Sequence, residues 1–200
     1  MEKQSLKKIV VGPFEVNCYI FTAKNKTFII DPGAESKKII DFIKKNFLIP
    51  VQILLTHAHV DHISGVKEVA AEFNIPVYLN EKDKGLYLSP ANSIAPFYPA
   101  LKEHALTVNT ITSDLIEAIN TPGHTQGGTC FYIKEYSLLF SGDTIFQESI
   151  GRTDLPGASH KQLLESIKTK IFSLPDSTLI HPGHGPETNV NREKCNNPFF

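Results

Sequence analysis

Thr56-His57-Ala58-His59-Val60-Asp61-His62 is the stretch on which the reading of this 200-residue chain turns. It follows Val51-Gln52-Ile53-Leu54-Leu55, a short apolar run after Pro50 that suits a buried strand. In extended backbone alternate side chains point the same way, so His57 and His59 can reach one ion together. Asp61 and His62 fall where the chain turns into a helix expected over 64–73, and they reach back to the same region from another angle.

Three further segments each follow an expected strand and sit beside glycine, where backbone can bend to aim a side chain inward. They are Thr121-Pro122-Gly123-His124-Thr125, Ser141-Gly142-Asp143-Thr144 and His181-Pro182-Gly183-His184-Gly185. A buried His or Asp without a partner is expensive, so seven gathered together call for a cation. The count fits two divalent ions: His57, His59 and His124 on one, Asp61, His62 and His184 on the other, with Asp143 bridging. Ligation by nitrogen and oxygen alone suits zinc, and also iron or manganese. Water between two cations loses its proton near neutral pH and becomes a nucleophile, while the second ion polarises the carbonyl under attack.

Outward from these segments the chain reads as two runs of strands, each followed by a helix. Strands are expected over 6–11, 17–22 and 27–30, with Asp31-Pro32-Gly33 as a turn. A helix over 35–46 places Ile39, Ile40 and Ile43 on one face, and the helix over 64–73 places Val66, Val69, Ala70 and Phe73 toward a core. Residues 81–105 carry Pro90, Pro96 and Pro99 among Tyr87, Phe97 and Tyr98. They read as an excursion over the surface, a lid or substrate wall, whose aromatic rings suit an acyl or peptide pocket or ordinary packing. Strands near 115–120, 129–133 and 137–140 precede a helix over 159–172 capped by Ser159. A strand at 178–180 then leads into a polar tail. The pattern predicts two similar halves packed sheet on sheet with helices outside, in one domain over residues 1–200.

Composition narrows the partners. Apolar residues make up 41% and charged residues 20%, which is ordinary for a soluble globular domain. A formal net charge of −1 gives no reason to expect nucleic acid or an acidic membrane surface. Lys3, Lys7 and Lys8 read as a solvated start. The apolar run Ile9-Val10-Val11 is too short for a secretory signal, and no segment approaches a membrane span. Cys18, Cys130 and Cys195 form no CxxC pair and read as buried bystanders, so cytoplasmic residence is expected. His104, His160 and His181 read as surface or supporting groups.

Taken together, the His57-to-His62 run, the Asp31-Pro32-Gly33 turn and the TPGHT, SGDT and HPGHG segments resemble the metallo-β-lactamase superfamily in order and spacing. The resemblance implies an α/β fold, a four-layer αββα sandwich with the metals in the groove between the sheet edges. It also implies the ligand set above and a supporting role for Asp31. Secreted zinc β-lactamases use a cysteine where this chain has Asp143 and usually lack the histidine equivalent to His62. RNase-type members carry extra domains and basic surfaces. Gly142-Asp143-Thr144-Ile145-Phe146, Gly151-Arg152 and Asn197-Pro198-Phe199 resemble the glyoxalase II branch, hydroxyacylglutathione hydrolases that cleave S-D-lactoylglutathione. The likeness is to its short bacterial members, without the C-terminal helical domain that helps hold glutathione.

That branch implies hydrolysis of a thioester by a metal-bridging hydroxide, with Asp61 as the catalytic residue that orients it. Two tyrosines that contact glutathione there correspond here to Asp154 and Pro186. Arg152 falls at the family's Lys/Arg position beside the substrate, so it is the candidate contact for a glutathione conjugate. A thiolate also leaves without prior protonation, which suits a site whose acid and base groups are committed to metal. A rival resemblance, through Gly151-Arg152-Thr153-Asp154, is to persulfide dioxygenases, which would use one iron on His57, His124 and Asp143 with glutathione persulfide and oxygen. The HPGHG segment around His184 favours the hydrolase.

Overall fold

The apolar runs become one large sheet in each of two compact units, Met1–Thr112 and Ser113–Phe200, with a small two-stranded sheet besides in the second. The computed structural model describes residues 4–103, 105 and 107–200, so Lys3 and His104 lie outside the described residues.

In the first unit β1 (Ser5–Val11), β2 (Val16–Ala23) and β3 (Lys26–Ile30) form an antiparallel meander. The helix α1 (Ser36–Lys45) then returns the chain to β4 (Pro50–Leu54), which pairs parallel to β3 with Ile30 opposite Leu54. Two parallel strands must finish at the same edge, so the Asp31 turn and the His57 loop emerge side by side. Ile39 and Ile43 of α1 are fully buried and Ile40 packs against the same core, as the spacing predicts. After α2 (Val60–Ile63) and α3 (Val66–Phe73), β5 (Val77–Tyr78) and, later, β6 (Thr107–Val108) extend the sheet in parallel.

The helix expected over 64–73 is present as α3, and α2 is a separate turn before it; the two are parted at Ser64-Gly65, where the Gly65 N–H donates to the Pro32 carbonyl at 3.0 Å. Asp61 and His62 therefore sit in a helical turn of their own. Residues 81–105 run over the surface, as expected, but are anchored: α4 (Lys84–Tyr87) ends on buried Tyr87, and Tyr98 is buried while Phe97 is exposed. Buried Asn92 accepts from the Val60 N–H at 3.0 Å and donates to the Ala58 carbonyl at 2.7 Å. Buried Asp83 accepts from the Ala58 N–H at 3.1 Å. These side chains satisfy backbone groups of the histidine loop that no strand pairs, which ties the stretch down.

In the second unit the sheet order is β13-β12-β9-β8-β7. It is built from β7 (Glu117–Asn120), β8 (Thr129–Ile133), β9 (Leu138–Gly142), β12 (Leu179–Pro182) and β13 (Thr188–Asn189), with the hairpin β10 (Ile145–Phe146) and β11 (Ser149–Ile150) after β9. β7 and β9 both run antiparallel to β8, and β12 runs parallel to β9. All three of β7, β9 and β12 therefore end at one edge, and His124, Asp143 and His184 follow those ends. The helix α5 (His160–Ser166) continues through a wider turn to Ile171 and buries Leu163, Ile167 and Ile171 against Cys130, Leu139 and Ile180. The Ser159 hydroxyl accepts from the Gln162 N–H, the expected cap.

The polar tail is a correction. It holds β13 and a helix, α6 (Val190–Asn196), anchored by the fully buried Glu193. That carboxylate accepts from the Glu148 N–H at 2.8 Å, the Thr188 hydroxyl at 2.5 Å and Asn197 Nδ2 at 2.8 Å. Cys18 and Cys130 are buried, as expected, but Cys195 is exposed. No helix among the described residues is long and apolar enough to cross a membrane.

Candidate metal centre

One carboxylate organises the candidate ligands of the first unit. Asp31, 1% exposed, accepts from the Thr56 N–H at 2.8 Å and from the Thr56 hydroxyl at 2.6 Å. Because that hydroxyl donates to Asp31, it can only accept from the neighbouring His57 Nδ1, 3.0 Å away. His62 Nδ1 lies 3.1 Å from the same Asp31 oxygen and donates to it directly. Both rings thus donate from Nδ1, the arrangement that in a neutral imidazole leaves Nε2 to act toward a cation. The ring centroids of His57 and His62 are 4.2 Å apart, and those of His57 and His59 4.8 Å apart and perpendicular. Asp31, His57 and His62 each place a ligand-type atom within 4.8 Å of the others. Asp31 already serves three donors, however, and therefore supports the imidazoles instead of binding metal with them. Asp61 shares α2 with His62, and both are buried.

Topology gathers the candidate ligands of the second unit. His124 Nδ1 donates to the Arg152 carbonyl at 2.8 Å, which again turns Nε2 outward. Asp143 Oδ2 stands 3.6 Å from His124 Nε2 and 3.7 Å from His184 Nε2. These separations are too long for hydrogen bonds. They approach the ~3.4 Å expected for two donors each ~2.1 Å from one ion in tetrahedral array. His181 lies behind, buried, its ring 5.4 Å from Phe140 and its Nδ1 3.3 Å from Glu187 Oε1. His160 is exposed. In both clusters the donors are imidazole and carboxylate, with the far side of the His57, His62 and His124 rings already committed, and this set fits divalent cations.

Residues 11–184 match the metallo-beta-lactamase superfamily. The chain belongs to that superfamily. Its fold is the metallo-β-lactamase fold, mixed α/β with helices flanking the sheets, as expected from the sequence. It is 38% identical to "Probable metallo-hydrolase YqgX" of Bacillus subtilis (strain 168), over 97% of this chain and 96% of that one. It is 34% identical to "Hydroxyacylglutathione hydrolase GloC" of Haemophilus influenzae, over 98% of each. Among solved structures, "BLEG-1 B3 metallo-beta-lactamase" superposes with a TM-score of 0.88 at 39% identity, covering 98% of this chain and 99% of that one. "TTHA1623 in a di-iron-bound form" superposes with a TM-score of 0.86 at 36% identity, covering 97% and 100%.

Within this superfamily member, two glycines are pressed against ligand-bearing backbone. A Cβ on Gly33 would lie 1.8 Å from the Asp61 carbonyl oxygen, and one on Gly151 would lie 1.9 Å from that of Asp143. Gly151 thereby lets the next residue bring its carbonyl to His124. The Arg152 side chain points elsewhere: its exposed guanidinium grips Asp154 through two bonds of 2.8 and 2.7 Å. That bond raises the guanidinium further and holds the Asp154 carboxyl down at about 2. Sequence reasoning missed Thr56, which relays Asp31 to His57, and the Arg152 carbonyl. Thr56 could have been found from its place between the strand and the first histidine; a backbone carbonyl leaves no mark on a sequence.

Proposed function

We propose that His57, His59, Asp61, His62, His124, Asp143 and His184 form one two-cation centre and that the chain is a thioester hydrolase. The observation that carries this reading is the state of the imidazoles, three of which donate Nδ1–H to fixed oxygens and so offer Nε2. His57, His59 and His124 would hold one cation and Asp61, His62 and His184 the other, with Asp143 shared. Divalent cations there, zinc by donor type, or iron as in the di-iron relative, supply an acidified water and a polarised carbonyl.

The chain's own groups do the rest. Asp31 holds two rings in register through Thr56 and His62, so no reorganisation is needed as charge develops. Asp61 orients the attacking water as a hydrogen-bond acceptor. The relative named as a hydroxyacylglutathione hydrolase supports a glutathione thioester such as S-D-lactoylglutathione. A thiolate departs unprotonated, so no further acid is demanded. Arg152 is proposed to receive the thiol half. Its pair with Asp154 is exposed, and such pairs are worth little, so exchanging one carboxylate for another is inexpensive.

The test is metal content of protein purified without added metal, with three assays alongside. They follow hydrolysis of S-D-lactoylglutathione, hydrolysis of a cephalosporin, and oxygen uptake with glutathione persulfide. Two ions per chain with thioester turnover is the expected result. Turnover of the cephalosporin alone would move the chain toward its β-lactamase relative. A single iron with oxygen uptake would replace the hydrolase by a dioxygenase.

A further inference from the structure

The TPGHT and SGDT segments each carry a threonine that the function above does not use. Thr121 and Thr144 are buried, and their hydroxyl oxygens lie 2.9 Å apart. Cys130 Sγ lies 3.3 Å from the first and 3.5 Å from the second, and it closes a buried ring of two hydroxyls and a thiol. Each member can donate once and accept at least once, so all three protons find acceptors inside the ring. Valine has nearly the shape of threonine and would fill either place without a polar group to satisfy.

The ring joins parts of the sheet that do not pair. Thr121 follows β7 and Thr144 follows β9, and both strands pair with β8, which lies between them and carries Cys130. Two strand spacings hold β7 and β9 about 9.5 Å apart, so their backbones cannot bond to each other and the hydroxyl pair spans the gap. Both of its ends are stiff. The Thr121 N–H donates to the Gly128 carbonyl at 2.7 Å, and the Ser166 hydroxyl donates to the Pro122 carbonyl at 2.8 Å. The Thr144 N–H donates to the Ser141 carbonyl at 3.1 Å, and the Gly151 N–H donates to the Thr144 carbonyl at 3.3 Å. His124 follows Thr121 closely and Asp143 directly precedes Thr144, with His124 Nε2 and Asp143 Oδ2 3.6 Å apart. A change in the separation of the hydroxyls is therefore passed on to these two side chains.

We propose that Thr121 and Thr144 are positioning residues, a clasp across β8 that sets the distance between His124 and Asp143 and with it the geometry at the cation they share. This rests on the reading of those two side chains as metal ligands, and not on the choice of substrate. A hydroxyl pair that only fills the interior and one that sets a metal geometry behave differently when both hydroxyls are removed. Each single exchange, Thr121→Val or Thr144→Val, leaves the remaining hydroxyl with only a weak sulfur partner and should lower the Tm of the metal-free chain. Exchanging both removes both polar groups, and the Cys130 thiol keeps the Ser141 carbonyl, 3.6 Å away, as its acceptor. Tm should then return to near that of wild type, while the clasp stays broken.

The experiment loads wild type, both single variants and the double variant with cobalt(II) and reads affinity by competition with a chromophoric chelator, the visible absorption bands, and metal-free Tm. In the double variant affinity should stay about tenfold or more below wild type, with altered bands, although Tm has recovered. Thr121→Ser and Thr144→Ser keep the hydroxyls and should keep affinity and bands. Wild-type affinity and bands in the double variant, or an affinity that recovers together with Tm, would overturn the clasp. So would a Tm that fails to recover, since the two hydroxyls would then not be each other's partners. A wild type that takes up no cobalt overturns the ligand reading as well. Thioester turnover is followed alongside: its absence in a wild type that binds cobalt, with the variants behaving as expected, sinks the hydrolase reading and keeps the clasp.

Discussion

The two clusters of candidate ligands are built on opposite plans. In the first unit the candidate ligands are crowded into one loop and helical turn after β4, and one side chain, Asp31, sets the orientation of two of them. In the second unit His124, Asp143 and His184 are far apart in sequence and are gathered because β7, β9 and β12 end at one edge. There the support for His124 is a backbone carbonyl, that of Arg152. The first cluster should therefore fail when a side chain is removed. The second should tolerate loss of the Arg152 side chain and fail when backbone is displaced.

The largest effect is expected at Asp31. Asp31→Ala removes the acceptor for Thr56 and His62 together, so both rings are freed to turn. Loss of one such support typically costs 10- to 100-fold in metal affinity, so two should leave the chain with little metal after dialysis. The stranded buried donors add a stability loss of about 3–5 kcal/mol, read from the urea midpoint. Full metal content with an unchanged midpoint would show that the relay does not hold the histidines.

The contrast sharpens at the neighbours Gly151 and Arg152. Gly151→Ala drives a Cβ into the Asp143 carbonyl and to within 3.2 Å of His124 Cβ. It should cost about 3 kcal/mol and reduce metal content. Arg152→Ala keeps the carbonyl and removes only an exposed side chain, so metal content and Tm should match wild type. If Arg152 receives the thiol half, KM for a glutathione thioester rises in that variant with metal unchanged. Metal loss in Arg152→Ala would mean that the side chain, not the backbone, secures His124.

This contrast also marks what a sequence can disclose. The donors of the first unit are local, so alternation along an extended segment was enough to name His57 and His59. Those of the second unit were nameable only one by one, as glycine-flanked residues after strands, since the parallel pairing that unites them is non-local. The groups that orient the donors were harder still. Thr56 stood inside the diagnostic run without a part, and the Arg152 carbonyl belongs to no residue type. Buried polar anchors were misread for a common reason: Asp83, Asn92 and Glu193 look like surface residues until their donors are known. Hence the anchoring of residues 81–105 was not foreseen, and α6 was expected to be tail.

Glu193 asks whether the scaffold of the second unit can be loosened without losing its ligands. Glu193→Ala strands three donors, among them the Glu148 N–H of the hairpin turn that follows Asp143. A loss of about 2 kcal/mol is expected in the urea midpoint. Asp143 is held by β9 and by Gly151, not by α6, so metal content at neutral pH should stay unchanged. Parallel loss of metal would make the C-terminal helix part of the centre's support.

The smallest effect isolates the Arg152 side chain from its carbonyl. Asp154 is held at about 2, first by the hydrogen bond from Arg152. Its folded value lies below the ordinary ~3.9. Any stabilisation it gives is therefore present above that ordinary value and disappears as pH falls toward 2. Carboxyl-detected NMR of the chain labelled at aspartate should show a midpoint near 2, moving up toward ~3.9 in Arg152→Ala. Both groups are exposed, so the acid-unfolding midpoint should be the same in the two proteins. A shifted midpoint without any change in the Asp154 titration would show that the substitution had reached the backbone at Arg152, and with it His124. The side chain and the carbonyl of that residue could then no longer be treated as separate devices.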